Sequence, residues 1–243
     1  MRDQTVFISG GSGALGSAMV RKFAAEGCRV AFTWHRNAEK AEQLLAELRA
    51  GGAKVAAWPL DVLDKAACVE VVGKAEAELG PVDVLVNNAG VSQIMPFPLI
   101  EEDDWDLVLD TNVKGMFLVT KAFVRGMIRR RKGCIVNLGS LAGMRILEVP
   151  VHYATAKSAV LGFTLSLARE LARFNIRVNA VVPGMINGGV GLSVPDAQRE
   201  EYRHYCTMGR VGEPGEVADL VVFLTGEKAA YINAQTIFID GGI

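Results

Sequence analysis

Tyr153 and Lys157 stand four residues apart, and Ser140 lies thirteen residues before the tyrosine. On a helix, a separation of four places the phenol and the ammonium on one face, about one turn apart. A phenol ordinarily loses its proton near pH ~10, and a cation beside it favours the phenolate. Such a tyrosine can give or take a proton near neutral pH. A hydroxyl at Ser140, just after an apolar run, can donate to a carbonyl oxygen and stabilise the charge that grows on it. Taken alone, Tyr-x-x-x-Lys is a common surface pattern and a serine after a strand is usually a cap. The chemistry therefore depends on what the rest of the chain places around these residues.

A second cluster, Ser9-Gly10-Gly11-Ser12-Gly13-Ala14-Leu15-Gly16, follows the first apolar run and opens a helical pattern. Glycines between a strand and a helix let backbone N–H groups approach a pyrophosphate at the positive helix end. The placement, strand then helix at the start of the chain, makes the cluster informative.

The elements that must carry these groups alternate along the sequence. Thr5–Ser9, Arg29–Thr33, Lys54–Pro59, Val82–Val86, Cys134–Leu138, Arg177–Val182 and Thr236–Ile239 read as strands. Most are continuous apolar runs, as expected for parallel strands buried on both faces. Ala14–Glu26, Ala38–Ala50, Lys65–Leu79, Val113–Arg130, Tyr153–Phe174 and Pro214–Leu224 carry helical periodicity. The alternation predicts an α/β fold: a Rossmann-like, doubly wound parallel sheet of about seven strands with helices on both faces. No linker or repeat divides the chain, so residues 1–243 are expected to form a single domain. A glycine-rich excursion after the sixth strand, at about 185–213, is expected to be a substrate lid.

Composition excludes several classes. The 243 residues are 50% hydrophobic and 22% charged with a formal net charge of -1, which gives no basic footprint for nucleic acid. No apolar stretch reaches membrane-spanning length, and no secretory signal is visible at Met1-Arg2-Asp3-Gln4, so a cytoplasmic protein is expected. Cys28, Cys68, Cys134 and Cys206 are scattered, as are His35, His152 and His204; neither set has metal-ligand spacing, and no metal is expected.

Together these motifs make the chain resemble the short-chain dehydrogenase/reductase family over essentially its whole length. The family's Thr-Gly-x-x-x-Gly-x-Gly pattern is met at Gly10 and Gly16, with Ser9 for Thr and Ala14 for the middle Gly. Asp61-Val62, Asn87-Asn88-Ala89-Gly90, Asn112 and Pro183-Gly184 match further motifs. The resemblance implies a catalytic tetrad of Asn112, Ser140, Tyr153 and Lys157. In it, Tyr153 delivers a proton, Lys157 tunes it and holds the nicotinamide ribose, and Asn112, at the start of a helix, holds a water that relays protons to Lys157. It also implies dinucleotide contacts from Ser9, Gly10, Ser12, Gly13, Ala14, Leu15, Gly16, Asp61, Val62, Asn88, Ala89, Gly90, Tyr153, Lys157, Pro183, Gly184 and Ile186. Two residues after Ile186 the family often carries Thr, where this chain has Gly188; a hydroxyl contact to the cofactor is missing there, or Asn187 replaces it.

Charge argues for the dinucleotide. The second strand ends in Thr33-Trp34-His35-Arg36-Asn37 with no carboxylate. A carboxylate would repel a 2′-phosphate, whereas Arg36, with His35, can pair with one. NADPH is the expected cofactor. Within the family, Gly209-Arg210-Val211-Gly212-Glu213-Pro214 and Leu161-Gly162-Phe163-Thr164 resemble 3-oxoacyl-(acyl-carrier-protein) reductases, which implies reduction of a carrier- or CoA-bound 3-oxoacyl thioester in fatty-acid or polyketide-type synthesis. Arg129-Arg130-Arg131-Lys132 offers a docking patch for an acidic carrier protein, although Phe174 stands at the position of a second docking arginine. Met95, Phe97, Met144, Ile146, Met185, Ile186, Leu192 and Val194 suggest an apolar slot. A homotetramer is a further implication of the resemblance. The alternative reading is a dehydrogenase of a sugar, steroid or other secondary alcohol; a nonenzymatic nucleotide-sensing scaffold would instead carry a broken tetrad.

Overall fold

The computed structural model describes residues 1–145 and 147–243; Ile146 of the apolar set lies outside them. Seven strands form one sheet in the order β3-β2-β1-β4-β5-β6-β7: β1 Thr5–Ile8, β2 Arg29–Trp34, β3 Val55–Pro59, β4 Val84–Asn87, β5 Gly133–Leu138, β6 Ile176–Pro183 and β7 Thr236–Ile239. Every neighbouring pair is parallel. The chain builds outward from β1 through β2 to β3, then crosses back to β4 and builds the other way. That reversal leaves a crevice at the carboxyl ends of β1 and β4, where open α/β sheets bind ligands.

The helices are α1 Ala14–Ala25, α2 Ala38–Ala50, α3 Lys65–Leu79, α4 Glu102–Leu109, α5 Gly115–Arg130, α6 Val151–Leu171, α7 Asp196–Tyr205 and α8 Pro214–Thr225. Strand residues alternate between two cores. On β1, Val6 and Ile8 pack with Met19, Val20 and Phe23 of α1 and Val217 and Val221 of α8. Phe7, between them, points the other way, into a layer with Val71 of α3, Phe123 and Met127 of α5 and Leu171 of α6. Both layers are closed to water, which is why these strands read as unbroken apolar runs. Phe7 and Phe123 stack with centroids 4.4 Å apart; truncating either to Ala removes about 3–5 kcal/mol.

Local chemistry sets the helix starts. Asn37 accepts from the Lys40 amide at 3.0 Å to cap α2, and Asp64 accepts from the Ala66 and Ala67 amides to cap α3. Glu213 and Glu216 form a capping box at α8, with Pro214 in its first turn. Helix α4 was not expected from apolar periodicity. Its signal is a capping box between Glu101 and Asp104, and it runs through a π turn, Asp110–Lys114, into α5.

All four cysteines are buried and unpaired, and burial pushes the thiols of Cys28, Cys68 and Cys134 up to about 11. No helix among the described residues is long and apolar enough to cross a membrane, and no group of three or more His, Cys, Asp or Glu among them could hold a metal ion.

Candidate active site

A cavity of about 1440 Å³ opens along the carboxyl edge of the sheet, lined by residues that follow β1, β2, β3, β4, β5 and β6 and by α7. Its volume exceeds the ~300–1,000 Å³ of a single small-molecule pocket, leaving room for two molecules side by side. Of the cofactor contacts expected from the sequence, all but Ser9 line it.

At the β1–α1 junction the backbone forms a cradle. Gly10 holds φ +67°, and a Cβ there would press on the Ala89 backbone, while a Cβ on Gly16 would collide with the Gly10 carbonyl. Gly13 caps α1 with no side-chain hydrogen bond, so the first amides of α1 are not satisfied by a capping side chain. Uncapped N–H groups at a positive helix end suit a phosphate. Ser9 lies beneath this surface: its hydroxyl accepts from the Asn88 and Ala89 amides at 3.0 and 3.1 Å, and the Asn88 side chain donates to the Ser9 and Gly10 carbonyls. Ser9 is buried and braces the loop against the turn after β4.

Beyond the cradle, His35 and Arg36 are exposed on the cavity wall after β2, with Asp61 and Val62 after the neighbouring β3. Lys40, in the first turn of α2, joins them. Lys40 was not among the expected contacts; the Asn-x-x-Lys cap that brings a second cation beside Arg36 was the available signal.

At the other end the four tetrad residues meet. Asn112 sits in the π turn joining α4 and α5, a place within a continuous helix rather than at the helix start that the sequence suggested. A single π turn shifts the helical register and re-aims a side chain. Asn112 Nδ2 donates to the Val91 and Val108 carbonyls, both at 2.8 Å, while its Oδ1 is buried with no partner. Lys157 is buried and donates to the Leu138 carbonyl at 3.0 Å. A Cβ on Gly90 would stand 2.5 Å from Asn112 Oδ1 and 3.5 Å from Lys157 Nζ, so glycine there keeps open the gap that both atoms face. Lys157 Nζ lies 5.7 Å from the Tyr153 ring centroid.

Electrostatics here departs from the sequence expectation. Burial pushes the Lys157 ammonium down to about 8. Burial also pushes the Tyr153 phenol up, and a hydrogen bond with the Ser140 hydroxyl draws it part of the way back. Where the sequence led to a lowered phenol, withdrawal from water, which penalises the phenolate, sets the direction. Ser140 itself accepts from the Ala142 amide at 3.2 Å.

The remaining wall is the 185–213 segment. It leaves β6, is pinned at its base by a parallel bridge between Ile186 and Gly212, and folds into α7, a helix absent from the expected elements. Gln198, Glu201, Tyr202 and Tyr205 of α7 all line the cavity. They follow helical spacing, but as mostly polar groups they produced no apolar stripe. Tyr202 donates to the Asp240 carbonyl at 2.9 Å and anchors α7 on the segment after β7. Met185, Ile186, Leu192 and Val194 line the cavity as expected. Met95, Phe97 and Met144 do not: Phe97 is exposed, and Met144 packs on the small core around Tyr202.

Comparison with known proteins accords with this architecture. The family model described as short chain dehydrogenase matches residues 4–198. The chain belongs to the short-chain dehydrogenase family. It is thus an oxidoreductase acting on CH–OH and C=O groups. The dehydrogenase is 37% identical over 243 residues to a 3-oxoacyl-(acyl-carrier-protein) reductase of Thermotoga maritima, covering 100% of this chain and 98% of the relative. It is 38% identical over 240 residues to an acetoacetyl-CoA reductase of Shinella zoogloeoides, covering 98% of each. A solved short-chain dehydrogenase/reductase from Serratia marcescens superposes with a TM-score of 0.92 at 33% identity, over 99% of this chain and 98% of that one.

One feature of this dehydrogenase sits apart from its cavity. Helix α5 runs from the π turn at the site to Arg130, a span of about 24 Å for 16 residues, and β5 starts just after. The run Arg129-Arg130-Arg131-Lys132 therefore lies at the amino edge of the sheet. Arg130 pairs with Glu76 and donates to the Val82 carbonyl, Arg131 donates to the Arg173 carbonyl, and Lys132 pairs with Asp83. Within this chain the run braces the β4–β5 end, away from the cavity.

Proposed function

We propose that the protein is an NADPH-dependent ketoreductase that converts a 3-oxoacyl thioester into its 3-hydroxyacyl form. The observation that carries this reading is the convergence of Asn112, Ser140, Tyr153 and Lys157 at one end of a cavity whose other end is a glycine cradle at a helix start. The cradle, the free amides of α1 and the cations Arg36 and Lys40 suit a dinucleotide with a 2′-phosphate, and reduced nicotinamide, when bound, supplies a hydride. The chain's residues do the rest. Ser140 donates to the ketone oxygen and opposes the negative charge that grows there. Tyr153, kept protonated by burial, passes its phenolic proton to that oxygen as the carbonyl carbon becomes saturated. Lys157 holds positive charge beside the phenolate that remains and bonds the nicotinamide ribose. The free Oδ1 of Asn112, facing the same gap as Lys157, holds a water through which a solvent proton returns to Tyr153.

The test is direct. Loss of NADPH absorbance with acetoacetyl-CoA or an acetoacetyl carrier protein is expected; inactivity toward every 3-oxoacyl thioester removes the substrate assignment. Arg36→Glu is expected to weaken NADPH relative to NADH by about 10-fold or more, the scale of a lost charge-assisted hydrogen bond. An unchanged ratio would take the 2′-phosphate away from Arg36.

A dehydrogenase of another secondary alcohol is the second reading, and one observation favours it. The substrate end of the cavity is walled by Leu141, Met185, Leu192 and Val194, with Glu148 and Glu201 as its acidic members, a setting suited to neutral apolar ketones. Relative rates on a neutral ketone and on its CoA-bound counterpart separate the two. A homotetramer belongs to the leading reading, supported by Phe117 of α5 and Leu165 of α6, both exposed on the surface of a single chain; a monomer mass by light scattering would remove it.

A further inference from the structure

We propose that Ala14 and Gly188 form a matched pair that seats the lid on the phosphate cradle, so that the lid's position and dinucleotide binding are set together. The inference rests on the reading of the cavity as a dinucleotide site. Ala14 is the first residue of α1, and Gly188 begins the lid's first turn; both line the cavity. Gly188 has φ 164° and ψ 162°, an extended backbone open to any residue. Its missing side chain therefore has no backbone cause. The cause is steric: a Cβ at 188 would stand 2.9 Å from Ala14 Cβ, with Pro214 Cγ at 3.4 Å. Carbon atoms meet comfortably at ~3.5–4.0 Å, so one methyl fits in this gap and two do not. The methyl that Ala14 adds to the cradle occupies the space a side chain at 188 would need.

The surrounding bonds give the lid little room to yield elsewhere. The Asn187 amide donates to the Gly212 carbonyl and the Gly212 amide to the Met185 carbonyl, at 2.8 and 2.9 Å. Asn187 Nδ2 donates to Glu213 at 3.1 Å, and the Gly191 amide closes the turn on the Gly188 carbonyl at 3.1 Å. With its base held on both strands, a lid pushed off Ala14 has to rotate as a unit, carrying Leu192 and Val194 off the cavity wall. Gly188 is a positioning residue, acting on the bound dinucleotide through the lid, and Ala14, on the cradle itself, sets where that lid seats.

The experiment is a double-mutant cycle on the full chain with Gly188→Ala, Ala14→Gly and the two combined. Two quantities are read: the dissociation constant for NADPH by calorimetry, and hydrogen exchange of the amides of 186–194 in the ligand-free protein. Gly188→Ala is expected to weaken NADPH about tenfold, the scale of coupling between residues in contact, and to speed lid exchange. Adding Ala14→Gly is expected to restore both to near the parent. Additive effects, or a Gly188→Ala variant indistinguishable from the parent, would overturn the pairing. If Gly188→Ala does not fold, Ala14→Gly alone decides: faster lid exchange supports the seat, and unchanged exchange overturns it. A parent chain that binds no dinucleotide refutes the function proposed above, and the ligand-free exchange cycle still tests the pair.

Discussion

Tyr153→Phe is expected to lower kcat for ketone reduction by about 10²- to 10⁴-fold, the range contributed by a positioned proton donor, while NADPH binding persists. The substitution removes one oxygen and keeps the ring. The packing of α6 and the position of Lys157, whose Nζ lies 5.7 Å from the ring centroid, are retained, so fold and cofactor affinity serve as internal controls. What disappears is the proton that burial holds on the phenol and the hydrogen bond with Ser140. Single-turnover absorbance measurements with saturating ketone read the chemical step. A variant that kept most of the parent's rate would place the proton donor elsewhere and sink the mechanism.

Lys157→Met is expected to lower kcat/KM by 10²-fold or more, on the same scale as loss of a proton-transfer partner, and also to reveal what the lysine costs the fold. Folding lowers its pKa from 10.5 to about 8 through burial. Between about 8 and 10.5 the unfolded chain therefore binds more protons than the folded one, and the stability contributed at this site rises with pH across that window. Below about 8 both states are protonated and the full penalty of a buried charge, roughly 3 kcal/mol, is present. The Met variant carries no such penalty but leaves the Leu138 carbonyl without its donor, a cost of about 1–3 kcal/mol that does not depend on pH. Urea denaturation of both proteins from pH 7 to 10 should show the parent gaining on the variant as pH rises. A difference that stays constant would mean that the ammonium is not desolvated. The same titration limits turnover: as pH passes about 8, Lys157 loses the charge that supports the phenolate, so reduction is expected to slow on the alkaline side.

Much of the architecture could be read without coordinates. Parallel strands buried on both faces leave unbroken apolar runs, and long amphipathic helices leave a 3.6-residue stripe; the seven strands and α1, α2, α3, α5, α6 and α8 announced themselves in this way. Helices α4 and α7 did not. Helix α4 is eight residues long and marked chiefly by its capping box, while the face that α7 turns to the cavity is largely polar because it borders a site instead of a core. The first is too short to write a stripe, and the partner of the second is a ligand space, where burial no longer writes a hydrophobic pattern.

The sequence alone brought the candidate residues forward. Tyr153 and Lys157 share a helical face because of their spacing, Ser140 follows a strand, and the glycines at the β1–α1 junction make a backbone cradle; all of these are local consequences of residue type and short-range geometry. Tertiary structure decided what those residues experience. Asn112 is aimed by a π turn, Ser9 is turned under the loop as a brace, and the arginines at the end of α5 lie on the far edge of the sheet. The Tyr153 phenol moves up and the Lys157 ammonium down because packing removes water from both. These outcomes depend on groups distant in the chain, and burial is a property of the assembled core that no single stretch of sequence contains.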